Sequence, residues 1–256
     1  GKAVVDATSV ATVDFSTAGI SDTLANCIDG NAIHANLTAI KNKDTDINIA
    51  LATINTISAQ QITHLNLVTD VTIGTVTVTI DGNIAQLDDL AANTSQTGTC
   101  ALTIIVADAV TVTTGKVVVD ATSITSVTFT TGITDTLANC IDTNAIHGDL
   151  TAIKNKHGSI NINLGTINTI TASQITHLNL VTDVTTGTVT VTIDGNIAEL
   201  DDLSTNASQS ATCTYTIVVD DVATVEQGKA IVDATSVATV DFSTAEIGRA
   251  SCRERV

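Results

Sequence analysis

Five cysteines carry the most reactive side chains of this 256-residue chain. Cys27 and Cys140 lie in the same local sequence, LANCID, and Cys100 and Cys213 each end a segment rich in Ser and Thr. The chain has no C-x-x-C motif and no Cys/His spacing typical of zinc ligands, so neither a metal site nor redox catalysis is expected from them. Two roles remain for the cysteines, a disulfide or burial as thiols.

Cys100 and Cys140 are the pair that we consider for a disulfide. Cys100 precedes a predicted strand, and Cys140 lies late in the predicted helix after the next strand. Because that helix runs back towards the starts of the strands, the two Cα atoms are expected within disulfide range, about 4.4 to 6.8 Å. The alternative is that the cysteines are free thiols that pack as small hydrophobic side chains.

The histidines and paired carboxylates lack the spacing of catalytic groups. His34 and His147 share one local sequence and have no Cys or His partner at ligand spacing, which favours surface or helix-capping roles. Asp201 and Asp202 are adjacent carboxylates of the kind that perform acid and base chemistry, but they lie in a helical LDDL segment with no implied cleft. No Ser/His/Asp set, phosphate-binding loop or dinucleotide fingerprint occurs. We therefore expect no enzymatic activity.

Calcium is the one cofactor that the sequence leaves open. The tripeptide Asp-Gly-Asn begins at Asp29, Asp81 and Asp194 and is similar to part of a calcium-binding loop. Neither the ligand series of an EF-hand nor a glycine-rich nonapeptide array accompanies it. Turn and helix-cap roles explain these tripeptides better.

Charge and hydropathy restrict the partners. The chain has 27 acidic and 10 basic residues and a net charge of −17. Nucleic acids and anionic lipids both require a basic surface, so neither is an expected partner. No apolar run approaches the roughly 20 residues needed to cross a bilayer, and we expect no membrane insertion.

The chain is organised as long tandem repeats. The segment GKAVVDATSVATVDFSTA starts at Gly1, a variant of it starts at Gly115, and a nearly identical form starts at Gly228, 113 residues later. The chain therefore contains a first copy (residues 1–114), a second copy (residues 115–227) and the start of a third copy (residues 228–245).

The last residues do not follow the repeat. After Ala245 the repeat would continue GISDT, but the chain reads EIGRASCRERV. This segment holds Cys252 and all the arginines of the chain, Arg249, Arg253 and Arg255. It resembles the in-frame translation of a short-read sequencing adapter. We therefore expect residues 246–256 to be a non-native tail of a metagenomic fragment that adds no regular structure.

A shorter period of about 25 residues within each copy predicts the fold. Each period, which we call a coil, reads as a strand, a turn and a short helix, and pairs such as Ser58 with Gln61 and Asn196 with Glu199 indicate capping boxes at helix starts. In TVTVTI the Thr and the Val or Ile side chains alternate, as expected when helices cover only one side of a sheet. We predict an α/β fold, a right-handed solenoid with a single parallel sheet of about nine strands and helices on one side.

The segments SDTLAN, TDTLAN, VDATSVATV and TGTVTVTI resemble the Thr-, Ala- and Asp-rich tandem repeats of very large secreted or cell-surface proteins of bacteria, cyanobacteria among them. The resemblance covers essentially residues 1–245. It implies an extracellular or cell-surface location and an adhesive or coat-like role, with no catalytic residues. The expected partners are neighbouring repeats of the same chain and cell-surface glycans.

The sequence leaves three non-catalytic functions open. The first is a stiff structural or adhesive module of a large surface protein, and the second is a calcium-dependent adhesin segment. The third is a ligand- or ice-binding face made by outward-facing threonines, which in the two copies are Thr75, Thr77, Thr79, Thr188, Thr190 and Thr192. Ordinary strand propensity also explains exposed threonines without any ligand.

Overall fold

The structure is a computed structural model, and it describes residues 3, 6, 12–15, 17, 19–92, 100–120, 124–205, 213–233 and 237–242. The chain divides into two compact units. The first comprises Gly1–Ala109 and Thr113–Thr131, and the second comprises Val110–Val112 and Gly132–Val256. These spatial units do not coincide with the two sequence copies, which meet between residues 114 and 115. The predicted tail, residues 246–256, lies outside the described residues.

The first unit is built around a six-stranded sheet. The strands of this unit, including two in a separate hairpin, are β1 (Ile20–Asp22), β2 (Ile28–Asp29), β3 (Ala32–Ile33), β4 (Ile49–Leu51), β5 (Ile54–Asn55), β6 (Val76–Gly82), β7 (Cys100–Val106) and β8 (Ile124–Phe129). The sheet has the order β1-β4-β6-β7-β8 with β5 also paired to β6, and all these pairs are parallel. The helices are α1 (Leu24–Cys27), α2 (Ala35–Lys41), α3 (Ala59–Val71), α4 (Ile84–Ala92) and α5 (Val112–Val119), of which Val112 belongs to the second unit.

The second unit is built in the same way. Its strands are β9 (Ile133–Thr134), β10 (Ile141–Asp142), β11 (Ala145–Ile146), β12 (Ile162–Asn168), β13 (Val189–Gly195), β14 (Cys213–Val219) and β15 (Val237–Asp241). Five of them form a parallel sheet in the order β9-β12-β13-β14-β15. The helices are α6 (Leu137–Cys140), α7 (Gly148–Lys156), α8 (Ala172–Val184), α9 (Ile197–Thr205) and α10 (Val225–Val232).

Alternation along the strands produces an aliphatic core. In β6, Val76, Val78 and Ile80 are buried while Thr77 is exposed. Branched side chains on one side of a pleated strand pack well against their neighbours, and the polar side chains between them remain in water. The predicted α/β class with parallel strands is confirmed.

Capping boxes begin α3, α8 and α10. In α3 the N–H of Gln61 donates to Ser58 Oγ at 3.3 Å, and the N–H of Ser58 donates to Gln61 Oε1 at 2.9 Å. Asn196 and Glu199 exchange the same two hydrogen bonds at the start of α9. The capping boxes predicted from the sequence are confirmed, and each satisfies backbone N–H groups that would otherwise lack a partner.

The prediction of a single parallel sheet is wrong, because the described strands form two parallel sheets and two short antiparallel hairpins. Only three residues separate β8 from β9, too few for the crossover that neighbouring parallel strands require, and β8 pairs with β7 whereas β9 pairs with β12. The hairpins, β2–β3 and β10–β11, turn through two-residue loops, Gly30-Asn31 and Thr143-Asn144. Strands of two residues were too short to leave a sequence pattern.

A Thr-x-Gly-Thr segment fixes the start of β13. The Thr185 hydroxyl donates to the carbonyl of Ile160 at 2.6 Å and accepts the N–H of Gly187 at 2.9 Å. The N–H of Thr188 donates to Asn161 Oδ1 at 2.9 Å. The two backbone segments approach so closely that a Cβ on Gly187 would lie 2.3 Å from the Ile160 oxygen. Only glycine fits this contact without a shift of the backbone.

Candidate functional site

Threonine side chains line the outward side of the strands, and we call this surface the threonine face. Val189 and Val191 of β13 are buried, whereas Thr188 and Thr190 are exposed and Thr192 is half-buried. The first unit has the same arrangement around β6, where Thr75 and Thr77 are exposed and Thr79 is half-buried. Four of the six threonines are thus exposed and two are half-buried, and they alternate with buried aliphatic side chains.

Parallel register arranges the hydroxyls of the threonine face in rows. In the second unit Thr192 lies beside Thr216, and Thr216 lies beside Thr239. The Thr239 hydroxyl donates to Thr216 Oγ1 at 3.2 Å. In the first unit Ser126 Oγ donates to Thr103 Oγ1 at 3.4 Å. Neighbouring strands lie about 4.8 Å apart, so each row repeats a hydroxyl at that spacing.

The rows are short. In the first unit Ala101 stands beside Thr77, and Ile105 stands at an outward position beside Asp81. In the second unit Val218 stands beside Asp241. One row of the second unit continues through four threonines, Thr166, Thr192, Thr216 and Thr239. A ligand that matches the described rows therefore meets between two and four hydroxyls before another kind of side chain interrupts them.

All four described cysteines, Cys27, Cys100, Cys140 and Cys213, are free and buried. Burial raises the pKa of the Cys100 thiol to about 12, and burial together with the charge of Asp135 raises the pKa of the Cys140 thiol to about 12. The structure does not contain the predicted Cys100–Cys140 disulfide. The described cysteines instead match the alternative interpretation, in which apolar surroundings hold them as inert thiols.

Cys27 and His34 line the same open groove of about 610 Å³ in the first unit. Burial, with the charge of Asp22 added, raises the pKa of the Cys27 thiol to about 11, so the nucleophilic thiolate is disfavoured. His34 Nδ1 accepts the N–H of Asn36 at 3.1 Å and so caps α2. A Cys/His catalytic pair requires a thiol of low pKa beside an imidazole nitrogen that is free to accept its proton. In this groove the pKa of the Cys27 thiol is raised, and His34 Nδ1 already accepts a backbone hydrogen bond.

The other histidines also serve local structure. His147 Nδ1 accepts the N–H of Asp149 at 3.2 Å and caps α7, which confirms the predicted capping role. A second pair of histidines contacts the hairpin loops: His64 Nε2 lies 3.4 Å from Asn31 Oδ1, and His177 Nε2 lies 3.3 Å from Asn144 Oδ1.

Asp44 and Asp46 form an acidic pair in the loop after α2. Asp44 Oδ2 accepts the N–H of Phe15, and Asp44 Oδ1 accepts the N–H of Asp46 at 3.3 Å. Burial alone would raise the pKa of Asp44, but these hydrogen bonds hold it below its ordinary value, while the side-chain bond to Asp44 raises the pKa of Asp46. Within the described parts of the chain, no group of three or more His, Cys, Asp or Glu side chains could hold a metal ion.

Three aspartates join one coil to the next through a contact that the sequence patterns did not predict. In each case the N–H of the first residue of a helix donates to an Asp Oδ2 that lies 23 or 24 residues later. A carboxylate is favourable at a helix N-terminus because of the helix dipole. The signal in the sequence is an Asp one coil period after the first residue of these three helices, in the pairs Ile84–Asp108 at 3.0 Å, Val112–Asp135 at 2.8 Å and Ile197–Asp221 at 3.4 Å.

Among the helices that the structure describes, none is long and apolar enough to span a membrane. No model of a known protein family matches the chain, and neither the curated proteins nor the solved structures contain a significant match. The function must therefore be argued from the residues and their arrangement.

Proposed function

We propose that this chain is a non-catalytic structural or adhesive module of a large extracellular surface protein, built as a right-handed α/β solenoid with its helices on one side. The observation that carries the proposal is the strand order, because within each unit the parallel strands follow one another in the sheet as they do in the chain. In such arrays each coil packs only against its neighbours, and the stack can be lengthened by adding copies. The extracellular location rests on the sequence resemblance.

The distribution of polar groups supports a non-catalytic role. The histidine caps, the Asp contacts at helix starts and the buried thiols recur at equivalent positions of the two copies. An active site ordinarily brings unlike groups together once, in a concave pocket. Recurrence favours groups that hold each coil in place.

Adhesion through such a surface is expected to depend on array length. Each unit presents only short rows of hydroxyls on a strongly acidic chain, so the affinity of one copy for a cell-surface glycan should be low. Linking many copies makes later binding events intramolecular and raises the overall affinity without any new contact.

The test compares this chain with tandem fusions that carry four and six copies of the repeat. Binding to glycan-coated surfaces is measured with calcium and with a chelator. We expect the apparent affinity to rise by about tenfold or more from two to four copies. Equal binding by all lengths, together with complete loss on Asp201→Asn, would indicate a discrete site and overturn the array model. Loss of binding in chelator alone would favour the calcium-dependent adhesin.

A second candidate function, ligand or ice binding by the threonine face, is favoured by the row Thr166, Thr192, Thr216 and Thr239. The test is thermal hysteresis and ice-recrystallisation inhibition of the chain and of the double variant Thr190→Val, Thr192→Val. Activity that falls in this variant but persists in a control variant with exposed Thr176→Val on α8 would support this candidate.

A further inference from the structure

The dipeptide Asp-Gly occurs three times in the chain, beginning at Asp29, Asp81 and Asp194. The fold uses it in two different ways. The first dipeptide lies where β2 turns into the loop of the β2–β3 hairpin, whereas the other two end the long strands β6 and β13. The same chemistry is therefore available in two very different environments.

An Asp-Gly dipeptide can rearrange without any cofactor. The backbone nitrogen of the glycine attacks Cγ of the protonated aspartate side chain, an N–Cγ bond forms, and the carboxyl C–O bond breaks with loss of a water molecule. Water then opens the resulting cyclic imide. When water attacks the former backbone carbonyl, the main chain continues through Cβ and Cγ, and the product is isoaspartate with unchanged mass. Glycine favours the reaction because its backbone is the least restricted and it has no side chain beside the attacking nitrogen.

The two strand dipeptides are held away from the geometry of attack. The aspartate carbonyl and the glycine nitrogen belong to one planar peptide unit, so turning the nitrogen towards Cγ also moves the carbonyl. The Asp81 carbonyl accepts the N–H of Thr56 at 3.0 Å, and the Asp194 carbonyl accepts the N–H of Thr169 at 3.0 Å. Both aspartates also lie between two paired strands. Rearrangement at these sites requires the sheet to open.

The surroundings of the glycines differ in the same sense. A Cβ built on Gly82 would lie 2.9 Å from Gln86 Oε1, and a Cβ built on Gly195 would lie 2.9 Å from Glu199 Oε2. Both of these glycines are buried. Gly30 is exposed, and no described atom lies within 4 Å of its Cβ position. The hairpin therefore leaves room for the cyclic imide and for the water that opens it.

The hairpin also resists rotation of the backbone less than a central strand does. β2 and β3 have two residues each and form a separate two-stranded sheet, in which Asp29 pairs with Ala32. A two-stranded hairpin is only marginally stable by itself, so it opens more often than the middle of a larger sheet.

The second hairpin provides a natural control. It has the same length, but Asp142 and Thr143 take the places of Asp29 and Gly30. The Thr143 hydroxyl donates to Asp142 Oδ1 at 3.4 Å, and the branched side chain restricts the approach of the adjoining nitrogen. The same reaction is therefore expected to be slower at Asp142.

We propose that Asp29–Gly30 is a site of spontaneous modification, at which the aspartate rearranges to isoaspartate in the folded chain while the other two Asp-Gly dipeptides are protected by their strands. This site goes beyond the proposed function, because the reaction needs no ligand and no partner.

The modification would loosen the hairpin from α3. Isoaspartate adds one carbon atom to the main chain beside a two-residue loop. Asn31 of this loop has its Oδ1 3.4 Å from His64 Nε2 and 3.5 Å from Gln60 Nε2, and both partners belong to α3. A longer main chain displaces the Asn31 side chain from these contacts.

The test follows isoaspartate during incubation of the full chain at neutral pH, folded and in urea. Peptide mapping with fragmentation that distinguishes isoaspartate from aspartate measures each site. In urea the three Asp-Gly dipeptides should react alike. In the folded chain we expect Asp29 to react about tenfold or more faster than Asp81 or Asp194, because these two react only when the sheet opens. Equal rates at the three sites of the folded chain, or reaction of Asp29 in urea alone, overturn the proposal.

Reciprocal variants test the hairpin glycine. Gly30→Thr should suppress isoaspartate at Asp29, and Thr143→Gly should raise the rate at Asp142 to near that of Asp29. An unchanged rate at Asp142 in Thr143→Gly overturns the role of the glycine.

Hydrogen exchange of the modified chain tests the loosening of the hairpin. The N–H of His34, which donates to the Cys27 carbonyl at 2.8 Å, should exchange faster after modification. The equivalent bond from His147 to Cys140, also 2.8 Å, should keep its protection. Unchanged exchange of the His34 amide would overturn the structural consequence.

Discussion

The two copies of the repeat place different side chains at the centre of equivalent strands. Leu102 in β7 and Tyr215 in β14 both have no exposed surface. The Tyr215 hydroxyl has no partner in hydrogen-bonding geometry, although the Cys213 thiol, a weak partner, lies close by. Burial, with Cys213 adding to it, raises the pKa of Tyr215 well above its ordinary value. The strand register survives this exchange, so backbone pairing rather than one particular core side chain maintains the repeat.

Two further differences lie at the surface. The hairpin loop of the first unit has Gly30 at φ 61°, whereas the equivalent loop of the second unit has Thr143 at φ 57°. After the strand that follows α4 or α9, the first copy has Ala107 and the second has Asp220. In all three comparisons the second copy holds the less favourable residue, while both copies keep the glycines at close backbone contacts. Each difference can be reversed by a single substitution.

The largest effect is expected where the copies agree. In Gly187→Ala the new Cβ would lie 2.3 Å from the Ile160 oxygen, and in Gly74→Ala it would lie 2.3 Å from the Ile47 oxygen. Because backbone must move in both cases, each substitution should lower the free energy of unfolding of its own unit by about 3 kcal/mol. Gly158→Ala is the control, since nothing lies within 4 Å of its Cβ position. Native-state hydrogen exchange measures each unit, and an effect below that of Gly158→Ala would contradict the close contact.

The next effect concerns the buried hydroxyl. Tyr215→Phe removes only the unpartnered oxygen, so the free energy of unfolding of the second unit should rise by about 1 kcal/mol. The reverse substitution, Leu102→Tyr, should destabilise the first unit, because it introduces both a larger ring and a polar atom into a fully buried position. Urea unfolding of both variants checks this pair. Destabilisation by Tyr215→Phe would show that the hydroxyl has a partner after all.

The hairpin exchange should have a smaller effect. Thr143→Gly relieves a β-branched residue at positive φ, which costs about 1–2 kcal/mol, but glycine also gains freedom in the unfolded chain. The net gain is therefore expected to be below about 1 kcal/mol. Gly30→Thr should lose a similar amount, and nothing within 4 Å of Gly30 obstructs the side chain, so backbone conformation is the only cause. Opposite signs for the two substitutions, measured by thermal unfolding, would confirm the comparison, and equal signs would contradict it.

Local sequence signals predicted much of this fold. The alternation around Val76 and Thr77 predicted a strand and its faces, because side-chain direction in a strand follows directly from position. The pair Ser58 and Gln61 predicted the start of α3, because both hydrogen bonds of a capping box join residues three apart. The alternation of exposed threonines with buried valines follows for the same reason.

Long-range features were not predictable in this way. The bond from Val112 to Asp135 joins residues 23 apart, and neither residue has a local signature of the contact. β8 pairs with β7, whereas β9 pairs with β12, so the two strands belong to different sheets. The continuous Thr-rich sequence across Phe129 and Ile133 gives no sign of this change of sheet. The sequence left both a Cys100–Cys140 disulfide and free thiols open, because strand and helix order restrict the general position of a thiol but not its distance from another; both cysteines are free in the structure.

The smallest effect concerns Asp220, whose counterpart in the first copy is Ala107. Partial desolvation raises the pKa of Asp220 above its ordinary value of 3.8, and the neighbouring carboxylate of Asp194 raises it further, with smaller contributions from Asp221 and Glu199. A folded-state pKa above the unfolded value means that the folded state binds the proton more tightly. The favourable contribution of this proton is therefore fully present below pH 3.8 and is lost as the pH rises through the raised pKa.

The substitution Asp220→Ala should consequently stabilise the second unit slightly at neutral pH, where the Asp220 carboxylate is charged, and the gain should disappear as the pH falls towards 3.8. Ala107→Asp places a carboxylate near Asp81 in the first unit and should produce the opposite change with the same pH dependence. Thermal unfolding of the two variants at neutral and acidic pH measures both effects, and an NMR titration of Asp220 gives its pKa directly. A gain that persists unchanged in acid would mean that repulsion between Asp194 and Asp220 is not its cause, and that the shape of the alanine side chain alone favours the first copy.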